Sequence, residues 1–372
     1  MKKNVVSEKE RFMDMALELA GKGRGKTHPN PMVGAVIVSS GKVIGRGYHK
    51  RAGMPHAEAD AISSAKTPLE GAEMFVTLEP CDHYGRTPPC TDAIIASGIK
   101  RVHVAMRDPN PVNSGRGIRK LRKAGIEVYV GSRSKEARYL NRAYIKFVTR
   151  GIPYITIKTA QSLDGKIAAS DGSSKWVSSP DSRRYVKKMR SEVDAVMVGI
   201  NTVLKDDPLL SGGGGLSGKP VRIVLDSRLR ISERSRLIRT AADAPVIVVT
   251  TPAASPDKIR KLSGKKGVEV LVVGSSGGRV SIKSFLKKMA EKGIASIMSE
   301  SGGELAGTLI DGGFVDEVVF FIAPVILGGS QVSVAGRGAP SIKNAIPLKG
   351  VSRQVMGPDM VFRGVIGGKY RI

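Results

Sequence analysis

The sequence predicts an α/β protein with two domains. Three observations support this prediction: a length of 372 residues, an apolar content of 41%, and strand patterns that alternate with helix patterns in both halves. A single hydrophobic core stops growing at about 250–300 residues, so a chain of this length is expected to divide. Alternating strands and helices form sheets with helices on both faces. We predict one domain over residues 1–150 and a second over residues 151–372.

The first half begins with a helix. Ser7 and Glu10 have the spacing of a capping box, and Phe12, Ala16 and Leu19 then recur at helical spacing. The other elements predicted in this half are strands over 32–38 and 42–49 around a tight turn, a helix over 56–65, a strand over 73–80, a helix over 91–97, a strand over 101–106, a helix over 117–124, a strand over 127–130 and a long basic helix over 135–147.

A fresh strand pattern, "TRGIPYITIK" (residues 149–158), opens the second half. The predicted strands that follow it are 194–199, 221–226, 245–250, 268–273, 295–300, 317–324 and 360–368, with a helix over 282–292. The segment "SGGGGLSGK" (residues 211–219) has the composition of a flexible loop.

The net charge is +27, from 60 Lys and Arg against 33 Asp and Glu. The excess is spread over both halves, whereas nucleic-acid binding usually concentrates charge on one face; a nucleic-acid partner is therefore not expected. No apolar run approaches the ~20 residues of a membrane span, and the first residues lack a signal-peptide pattern. We expect a cytoplasmic protein with no membrane contact.

The two cysteines predict a metal site. In the cytosol thiols stay reduced, so Cys81 and Cys90 are better ligands than disulfide partners. A hydrolytic zinc site takes three protein ligands and leaves one position for water, and a carboxylate outside the ligand set moves protons. His56, Cys81 and Cys90 supply the ligands, and Glu58 supplies the catalytic carboxylate. His-x-Glu followed by Pro-Cys and a second Cys is typical of zinc-dependent nucleobase deaminases, although the gap between the cysteines here is longer.

Three segments narrow this prediction: "HPNPMVGAVIV", "GYHKRAGMPHAE" and "EPCDHYGRTPPC". Together they closely resemble the bifunctional deaminase/reductase family of riboflavin biosynthesis. The resemblance implies a cytidine-deaminase-like α/β/α domain that hydrolyses an amine from a small phosphorylated ribosylaminopyrimidine. It further implies that Asn30, His49, His83 and Arg86 contact this substrate.

The second half has no Gly-x-Gly-x-x-Gly fingerprint. A turn at Gly302 and Gly303, between a predicted strand and a helix, suits either a phosphate ligand or a plain tight turn. The segments "KTAQSLDGKIA", "SKWVSS", "GINTVLKDDPLL" and "SESGGELAG" resemble the reductase half of the same family.

That second resemblance implies a dihydrofolate-reductase-like α/β domain in which NADPH reduces the ribosyl group to a ribityl chain. It places NADPH against Ala160, Trp176, Thr202, Asp206, Ser227, Gly302, Gly303, Glu304, Leu305, Ala306, Gly307 and Thr308. It places the substrate against Ser174, Arg190, Leu210 and Glu300. We also expect a homo-oligomer.

One stretch departs from the family pattern. An Arg that grips the substrate phosphate usually follows "DDPxLT", but here Ser211 leads into glycines 212–215. Either another base, such as Arg183 or Arg190, takes the anion, or the loop binds differently.

Two other functions are compatible with parts of the sequence. A tRNA or other nucleic-acid base deaminase with an added binding domain would fit the basic charge, but the cysteine gap and the "SLDGKIA" segment oppose it. A non-catalytic protein with structural zinc would need a fourth ligand, which His49 or His83 could supply.

Overall fold

A computed structural model describes residues 7–84, 88–213 and 220–367. These residues form two compact units that divide after Gly151. The main sheet has five strands in the first unit and nine in the second. Within these ranges no helix has both the length and the apolar character that a membrane crossing requires.

The first unit is an α/β/α sandwich. Its strands are β1 (Gly34–Ser39), β2 (Lys42–Tyr48), β3 (Glu73–Val76), β4 (Arg101–Val104) and β5 (Glu127–Val130), and its helices are α1 (Glu8–Gly21), α2 (Ala57–Ser64), α3 (Cys90–Ala96), α4 (Arg116–Lys123), α5 (Ser134–Leu140) and α6 (Arg142–Arg150). The sheet order is β2-β1-β3-β4-β5, with β3, β4 and β5 parallel. Adjacent residues of β1 belong to different cores. Ile37 packs in the core formed with α2, α3 and α4, and Val36 packs in the core formed with α1, α5 and α6.

Local sequence explains the start of this unit. Ser7 and Glu10 form the predicted capping box at the beginning of α1. Ser40 and Gly41 both have positive φ, at 47° and 74°. A two-residue turn of this kind matches the twist of the strands that it joins, so β1 and β2 form the predicted hairpin.

The prediction of one long basic helix over residues 135–147 is wrong. The segment forms two helices, α5 and α6, which meet at Asn141. The Oδ1 atom of Asn141 accepts a hydrogen bond from the N–H of Met32 at 2.8 Å, and its Nδ2 donates to the Met32 carbonyl at 2.9 Å. The side chain thus pairs with both backbone groups of Met32, and Asn141 is at once the C-cap of α5 and the N-cap of α6.

The second unit is built on a mixed sheet. Its strands are β6 (Tyr154–Ser162), β7 (Ala195–Gly199), β8 (Val221–Leu225), β9 (Val246–Thr250), β10 (Val268–Val272), β13 (Ser296–Ser299), β14 (Glu317–Ala323), β15 (Leu348–Met356) and β16 (Asp359–Ile366), with a small ribbon of β11 (Ser275–Ser276) and β12 (Arg279–Val280). Its helices are α7 (Pro180–Ser191), α8 (Ile200–Asp206), α9 (Arg236–Arg239), α10 (Pro256–Ser263), α11 (Ile282–Glu291) and α12 (Gly303–Asp311).

The strand order is β10-β9-β8-β7-β13-β6-β14-β16-β15. Pairing is parallel from β10 to β14 and antiparallel from β14 through β16 to β15. Buried apolar residues form one core on each face of the sheet. The edge strand β15 and the helices α7 to α10 have no counterpart among the predicted elements.

We expect Asn141→Ala to lower the free energy of unfolding of the first unit by about 2–4 kcal/mol, because the buried side chain loses two hydrogen bonds and leaves the backbone groups of Met32 unpaired. Chemical denaturation would measure the change. Asn344→Ala, at an exposed position, is the control and should leave stability nearly unchanged. An equal loss in both variants would contradict the role of Asn141.

Candidate functional site

His56, Cys81 and Cys90 converge in the first unit. One ligand atom from each lies within 4.8 Å of the other two. The Nδ1 atom of His56 is 3.5 Å from Sγ of Cys81 and 3.3 Å from Sγ of Cys90. Both cysteines are free thiols rather than a disulfide. Imidazole nitrogen and cysteine sulfur in this arrangement are the donors that zinc prefers.

Three local structures place these ligands. His56 is the N-cap of α2, where its backbone is extended. Cys90 is the first residue of α3, and its N–H donates to Sγ of Cys81 at 3.4 Å. The carbonyl of Cys81 accepts a hydrogen bond from the N–H of Thr91 at 3.2 Å. The starts of two helices and the loop after β3 therefore meet at one point.

A hydrogen bond between the two sulfurs couples their ionisation. It lowers the pKa of Cys81 to about 4 and raises the pKa of Cys90. Because metals bind the thiolate form of cysteine, ionisation of both sulfurs is favoured by a cation between them, and metal binding releases protons. The donor set therefore fits a divalent metal.

Glu58 lies in the first turn of α2, beside the three ligands. Its side chain is buried, with 3% exposed. Burial raises the pKa of Glu58 to about 7, and the nearby charge of Cys81 adds to this rise. A carboxyl group with such a pKa holds or releases a proton at neutral pH, as general acid–base catalysis requires.

Asn30 and His49 lie next to this centre and are bonded to each other. The Nε2 atom of His49 accepts from Nδ2 of Asn30 at 3.2 Å, and its Nδ1 donates to the carbonyl of Pro55 at 3.1 Å. The rings of His49 and His56 meet edge to face, with centroids 5.3 Å apart. Because both nitrogens of His49 are engaged, this residue does not complete a closed four-ligand metal site.

The other two predicted pyrimidine contacts follow Cys81. His83 is exposed, and the adjacent Tyr84 is 80% exposed. Arg86 lies outside the described residues, so its contact stays a prediction. The segment that follows the metal ligand is accessible to a small molecule.

A buried carboxylate holds the backbone in front of Cys81. Glu79 accepts a hydrogen bond from the N–H of Asp108 at 3.1 Å. It also accepts from the N–H groups of Gly115 at 2.9 Å and Ile118 at 3.3 Å, at the start of α4. The loop that carries Cys81 is thereby tied to α4.

A single ammonium group joins the two segments that carry the cysteines. The Nζ atom of Lys120 lies 2.7 Å from a carboxylate oxygen of Asp82 and 2.7 Å from one of Asp92. Asp82 directly follows Cys81, and Asp92 comes two residues after Cys90. Hydrogen bonds to Asp82 and Asp92 raise the pKa of Lys120 to about 12. Neither Lys120 nor Glu79 is among the predicted site residues. Lys120 belongs to no chemical motif, and Glu79 opens the segment "EPCDHYGRTPPC" without a role of its own in the predicted site.

The predicted NADPH contacts line one edge of the second sheet. Ala160 lies near the carboxyl end of β6, whereas Thr202, Ser227 and Gly302 follow the carboxyl ends of β7, β8 and β13. These four strands are parallel. Ligands of such sheets bind at the carboxyl ends of the strands. The topology therefore brings four distant segments to one edge.

A buried ionic cluster surrounds Glu300, directly after β13. The Nε and Nη2 atoms of Arg190 lie 2.5 and 3.0 Å from its two oxygens, and Nζ of Lys158 lies 3.6 Å away. Burial opposes ionisation of Glu300, but the charges of Arg190 and Lys158 outweigh it and lower the pKa to about 2. Two cations thus face one carboxylate. Lys158 belongs to a quoted segment but was not predicted as a contact.

Two more predicted contacts adjoin one another. The Ser174 hydroxyl donates to the carboxylate of Asp206 at 3.2 Å, which places a predicted substrate contact beside a predicted cofactor contact. Trp176 is 69% exposed, and the guanidinium of Arg183 lies 4.5 Å from its ring centroid. An exposed indole in this position offers a flat apolar surface to a ligand.

The loop after α8 is held by Arg190. Leu210 is buried and has a φ of +55°, and the next residue, Ser211, accepts a hydrogen bond from Nη1 of Arg190 at 3.1 Å. Arg190 is therefore engaged by both this loop and Glu300. Arg183, the other predicted substitute for the family arginine, donates to the carbonyl of Ser178 at 2.6 Å. Residues 214–219 lie outside the described residues.

The space around the glycines in the first turns of α12 differs from one position to the next. A Cβ atom at Gly303 would lie 2.3 Å from the carbonyl oxygen of Val332, and one at Gly307 would lie 1.0 Å from that of Ala335. A Cβ at Gly302 would meet nothing within 4 Å among the described residues. Gly302 therefore has open space beside it among the described residues, whereas Gly303 makes room for the chain itself.

The segment 331–335 is tied in turn to the "SLDGKIA" loop. The N–H of Ile167 donates to the carbonyl of Gln331 at 2.9 Å, and the N–H of Ser333 donates to that of Gly165 at 3.0 Å. Backbone contacts thus connect this loop, the segment 331–335 and the first turns of α12.

Two family models match this chain. The cytidine and deoxycytidylate deaminase zinc-binding region matches residues 6–106, and the RibD C-terminal domain matches residues 153–362. These matches confirm the predicted fold, a cytidine-deaminase-like α/β/α domain followed by an α/β reductase domain.

Whole-length relatives agree with both models. The riboflavin biosynthesis protein RibD of Aquifex aeolicus is 47% identical over 351 residues, which cover 94% of this chain and 96% of the relative. The RibD protein of Escherichia coli is 38% identical over 365 residues, covering 94% and 97%.

Solved structures are similar over the same length. Acinetobacter baumannii RibD has a TM-score of 0.84 at 32% identity, covering 97% of this chain and 99% of that chain. A diaminohydroxyphosphoribosylaminopyrimidine deaminase/5-amino-6-(5-phosphoribosylamino)uracil reductase from Thermotoga maritima has a TM-score of 0.83 at 37% identity, with coverage of 97% and 99%.

We expect Lys120→Met to weaken zinc retention by about 10–100-fold, the usual effect of removing a group that orients metal ligands. Without the ammonium, Asp82 and Asp92 repel each other, and the segments that carry Cys81 and Cys90 separate more easily. Competition with a chelator would measure the loss. Lys123→Met, at an exposed position of the same helix, is the control; equal retention in both variants would contradict the role of Lys120.

We expect the charge of Glu300 to make stability depend on pH in acid. Its pKa falls from 4.5 to about 2 on folding, so its stabilisation is fully present above pH 4.5 and is lost as the pH falls toward 2. At about 1.4 kcal/mol for each pKa unit, the contribution is about 3 kcal/mol.

Glu300→Gln should therefore differ from the wild type most at neutral pH, and the difference in unfolding free energy should shrink as the pH falls through 4.5. Denaturation curves between neutral pH and pH 3 would measure it. Glu304→Gln, whose side chain is 70% exposed, is the control. A difference that stays constant with pH would be evidence against the buried charge.

Proposed function

The chain belongs to the family of bifunctional riboflavin-biosynthesis proteins that join a deaminase to a reductase, and from this premise we propose which residues carry each reaction. In the first reaction, water replaces an amine of a phosphorylated ribosylaminopyrimidine. In the second, the ribosyl group is reduced to a ribityl chain. Zinc serves the first reaction and NADPH the second. The observation that carries the assignment is the convergence of His56, Cys81 and Cys90 beside the buried Glu58.

The proposed deaminase domain spans residues 1–150, and the proposed reductase domain spans residues 151–372. Support comes from the division of the described residues after Gly151. The two family models also match separate halves of the chain.

In the deaminase domain, His56, Cys81 and Cys90 are the proposed zinc ligands. Zinc held there supplies a Lewis acid that lowers the pKa of water toward about 7 and so makes hydroxide available at neutral pH. Glu58 lies outside the ligand set and is close enough to move protons. It accepts the proton of the attacking water and passes it to the ring nitrogen of the pyrimidine. It then takes the proton of the hydroxyl group now on the ring carbon and delivers it to the amino group, which leaves as ammonia while the carbonyl forms.

Four residues are proposed to hold the pyrimidine substrate: Asn30, His49, His83 and Arg86. The hydrogen-bond chain from Asn30 through His49 to Pro55 fixes the His49 ring before a ligand arrives. An arginine such as Arg86 suits a phosphate group because its guanidinium offers two parallel donors.

In the reductase domain, NADPH supplies the hydride, and the chain aligns the two reactants. The proposed contacts are Ala160, Trp176, Thr202, Asp206, Ser227 and residues 302–308. Free N–H groups at the start of a helix suit a phosphate, and α12 begins at the carboxyl edge of the sheet where the other contacts lie.

Arg190, Glu300, Ser174 and Leu210 are the proposed contacts to the reductase substrate. The cluster around Glu300 supports this role, because Arg190 and Lys158 together outnumber its one carboxylate. The surplus positive charge suits a phosphorylated substrate.

We further propose a cytoplasmic location and a homo-oligomeric state. Cys81 and Cys90 are free thiols, and their use as ligands suits a reducing compartment.

The test of the deaminase assignment is Glu58→Gln. We expect ammonia release from the diaminopyrimidine substrate to fall at least about 100-fold, because proton transfer by a positioned side chain contributes on that order. Zinc content should be unchanged, since Glu58 is not a ligand. NADPH-dependent reduction of substrate that is already deaminated should continue and so reports that the protein is folded.

Asp60→Asn is the matched control, because Asp60 lies on the same helix but bonds to Tyr48 and Lys50. Ammonia release at the wild-type rate in Glu58→Gln would overturn the assignment. Loss of zinc in that variant would instead make Glu58 part of the metal site.

A further inference from the structure

A small two-stranded ribbon lies beside the proposed cofactor contacts of the second unit. Its strands are β11 and β12, and Arg279 is the first residue of β12. The N–H of the next residue, Val280, donates to Oγ of Ser227 at 3.0 Å. Ser227 follows the carboxyl end of β8 and is a proposed NADPH contact. The ribbon therefore brings Arg279, which is not among the predicted contacts, to the end of β8.

The strand order indicates which part of the cofactor reaches this place. The strands run β8-β7-β13-β6 along the edge. Hydride transfer requires the nicotinamide to lie against the substrate, and the proposed contacts Glu300 and Ala160 lie at β13 and β6. The N–H groups at the start of α12, also beside β13, suit the diphosphate. Neighbouring strands are about 4.8 Å apart, so the end of β8 lies about 10 Å beyond β13, where an extended cofactor brings its adenosine half.

Two more arginines lie at the same end of the edge. In the turn over residues 226–231, the buried carboxylate of Asp226 accepts a hydrogen bond from a backbone N–H at 2.7 Å. This turn exposes Arg228 and Arg230. Nη2 of Arg230 donates to Oδ1 of Asn201 at 2.6 Å, just after β7. Positive charge therefore collects at the carboxyl ends of β7 and β8, which favours an anionic group of a ligand there.

The guanidinium of Arg279 is paired with a carboxylate that a phosphate can replace. Its Nη2 atom lies 3.6 Å from Oε2 of Glu304, in the first turn of α12. The pair thus connects the end of β8 with the end of β13. The two side chains are 67% and 70% exposed, and an ion pair as exposed as this one is weak. A phosphate monoester carries more charge than a carboxylate, and its oxygens match the parallel donors of a guanidinium.

NADPH differs from NADH by one group, the phosphate on the 2′ oxygen of the adenosine ribose. In dinucleotide-binding sheets an arginine near that oxygen accommodates the phosphate. We propose that Arg279 binds the 2′-phosphate and so makes the reductase prefer NADPH to NADH. The proposal rests on the proposed function, in which NADPH lies along this edge. When the cofactor binds, the guanidinium exchanges Glu304 for the phosphate, while Arg228 and Arg230 add to the positive potential around it.

The test is the affinity of the full chain for NADPH and for NADH, each measured by titration calorimetry. We expect the wild type to bind NADPH at least about 10-fold more tightly than NADH. Arg279→Ala should weaken NADPH binding by about 10–100-fold, the effect of losing one charge-assisted hydrogen bond. Its NADH affinity should stay within about twofold of the wild type, as for other surface substitutions, which also shows that the site is folded. Arg279→Lys should keep part of the preference, because the charge remains although the fork of donors is lost.

Lys283→Ala is the matched control, because it removes the same charge from an exposed position on α11, four residues away. Its affinities for both dinucleotides should equal those of the wild type. An equal loss of NADPH and NADH affinity in Arg279→Ala would assign this arginine to the diphosphate that both share and would overturn the proposal. Unchanged NADPH affinity in that variant, or equal affinities in the wild type, would overturn it as well. A wild type that binds neither dinucleotide would contradict the cofactor assignment itself, and the proposal with it.

Discussion

Two cysteine sulfurs and an imidazole nitrogen lie within 4.8 Å of one another beside a buried carboxyl group, and the first unit is organised around this crowding. Full ionisation of these groups is unfavourable without a cation, because burial in low dielectric magnifies the repulsion between thiolate and carboxylate charges. Contacts of neighbouring residues hold this cluster in place. Glu79 fixes the loop before Cys81, and Lys120 joins the segments after both cysteines. A bound metal would supply the positive charge that balances the sulfurs and the buried carboxyl group.

The sequence predicted what depends on local pattern and on chemical motif. It identified α1 from its capping box and the β1–β2 hairpin from its turn. From residue types alone it also selected His56, Cys81 and Cys90, which the structure brings together as a group that could hold a metal ion. It did not predict the features that depend on contacts between residues far apart in the chain. The break at Asn141 depends on Met32, more than 100 positions earlier, and β15 carries too few alternating residues to predict a strand. Lys120 resembles any lysine of a basic helix until the fold brings Asp82 and Asp92 to it.

In the second unit, the strand topology brings the predicted cofactor contacts together, although no sequence fingerprint marks them. Parallel strands bring Ala160, Thr202, Ser227 and Gly302 to one edge although 142 positions separate the first from the last. The buried cluster of Arg190, Lys158 and Glu300 lies at the same edge, and removal of any one charge would leave the others unbalanced in a poorly solvated place. The proposed substrate contacts Arg190 and Glu300 therefore also contribute to folding.

The closeness of α12 to the segment 331–335 has a further consequence. No side chain fits between them at Gly303 or Gly307, and the segment is bonded on its other side to the loop at Gly165. A dinucleotide that docks at this turn therefore finds the main chain already fixed in place. Little conformational entropy remains to be lost on docking, so affinity there depends on the contacts themselves rather than on the ordering of a loose loop.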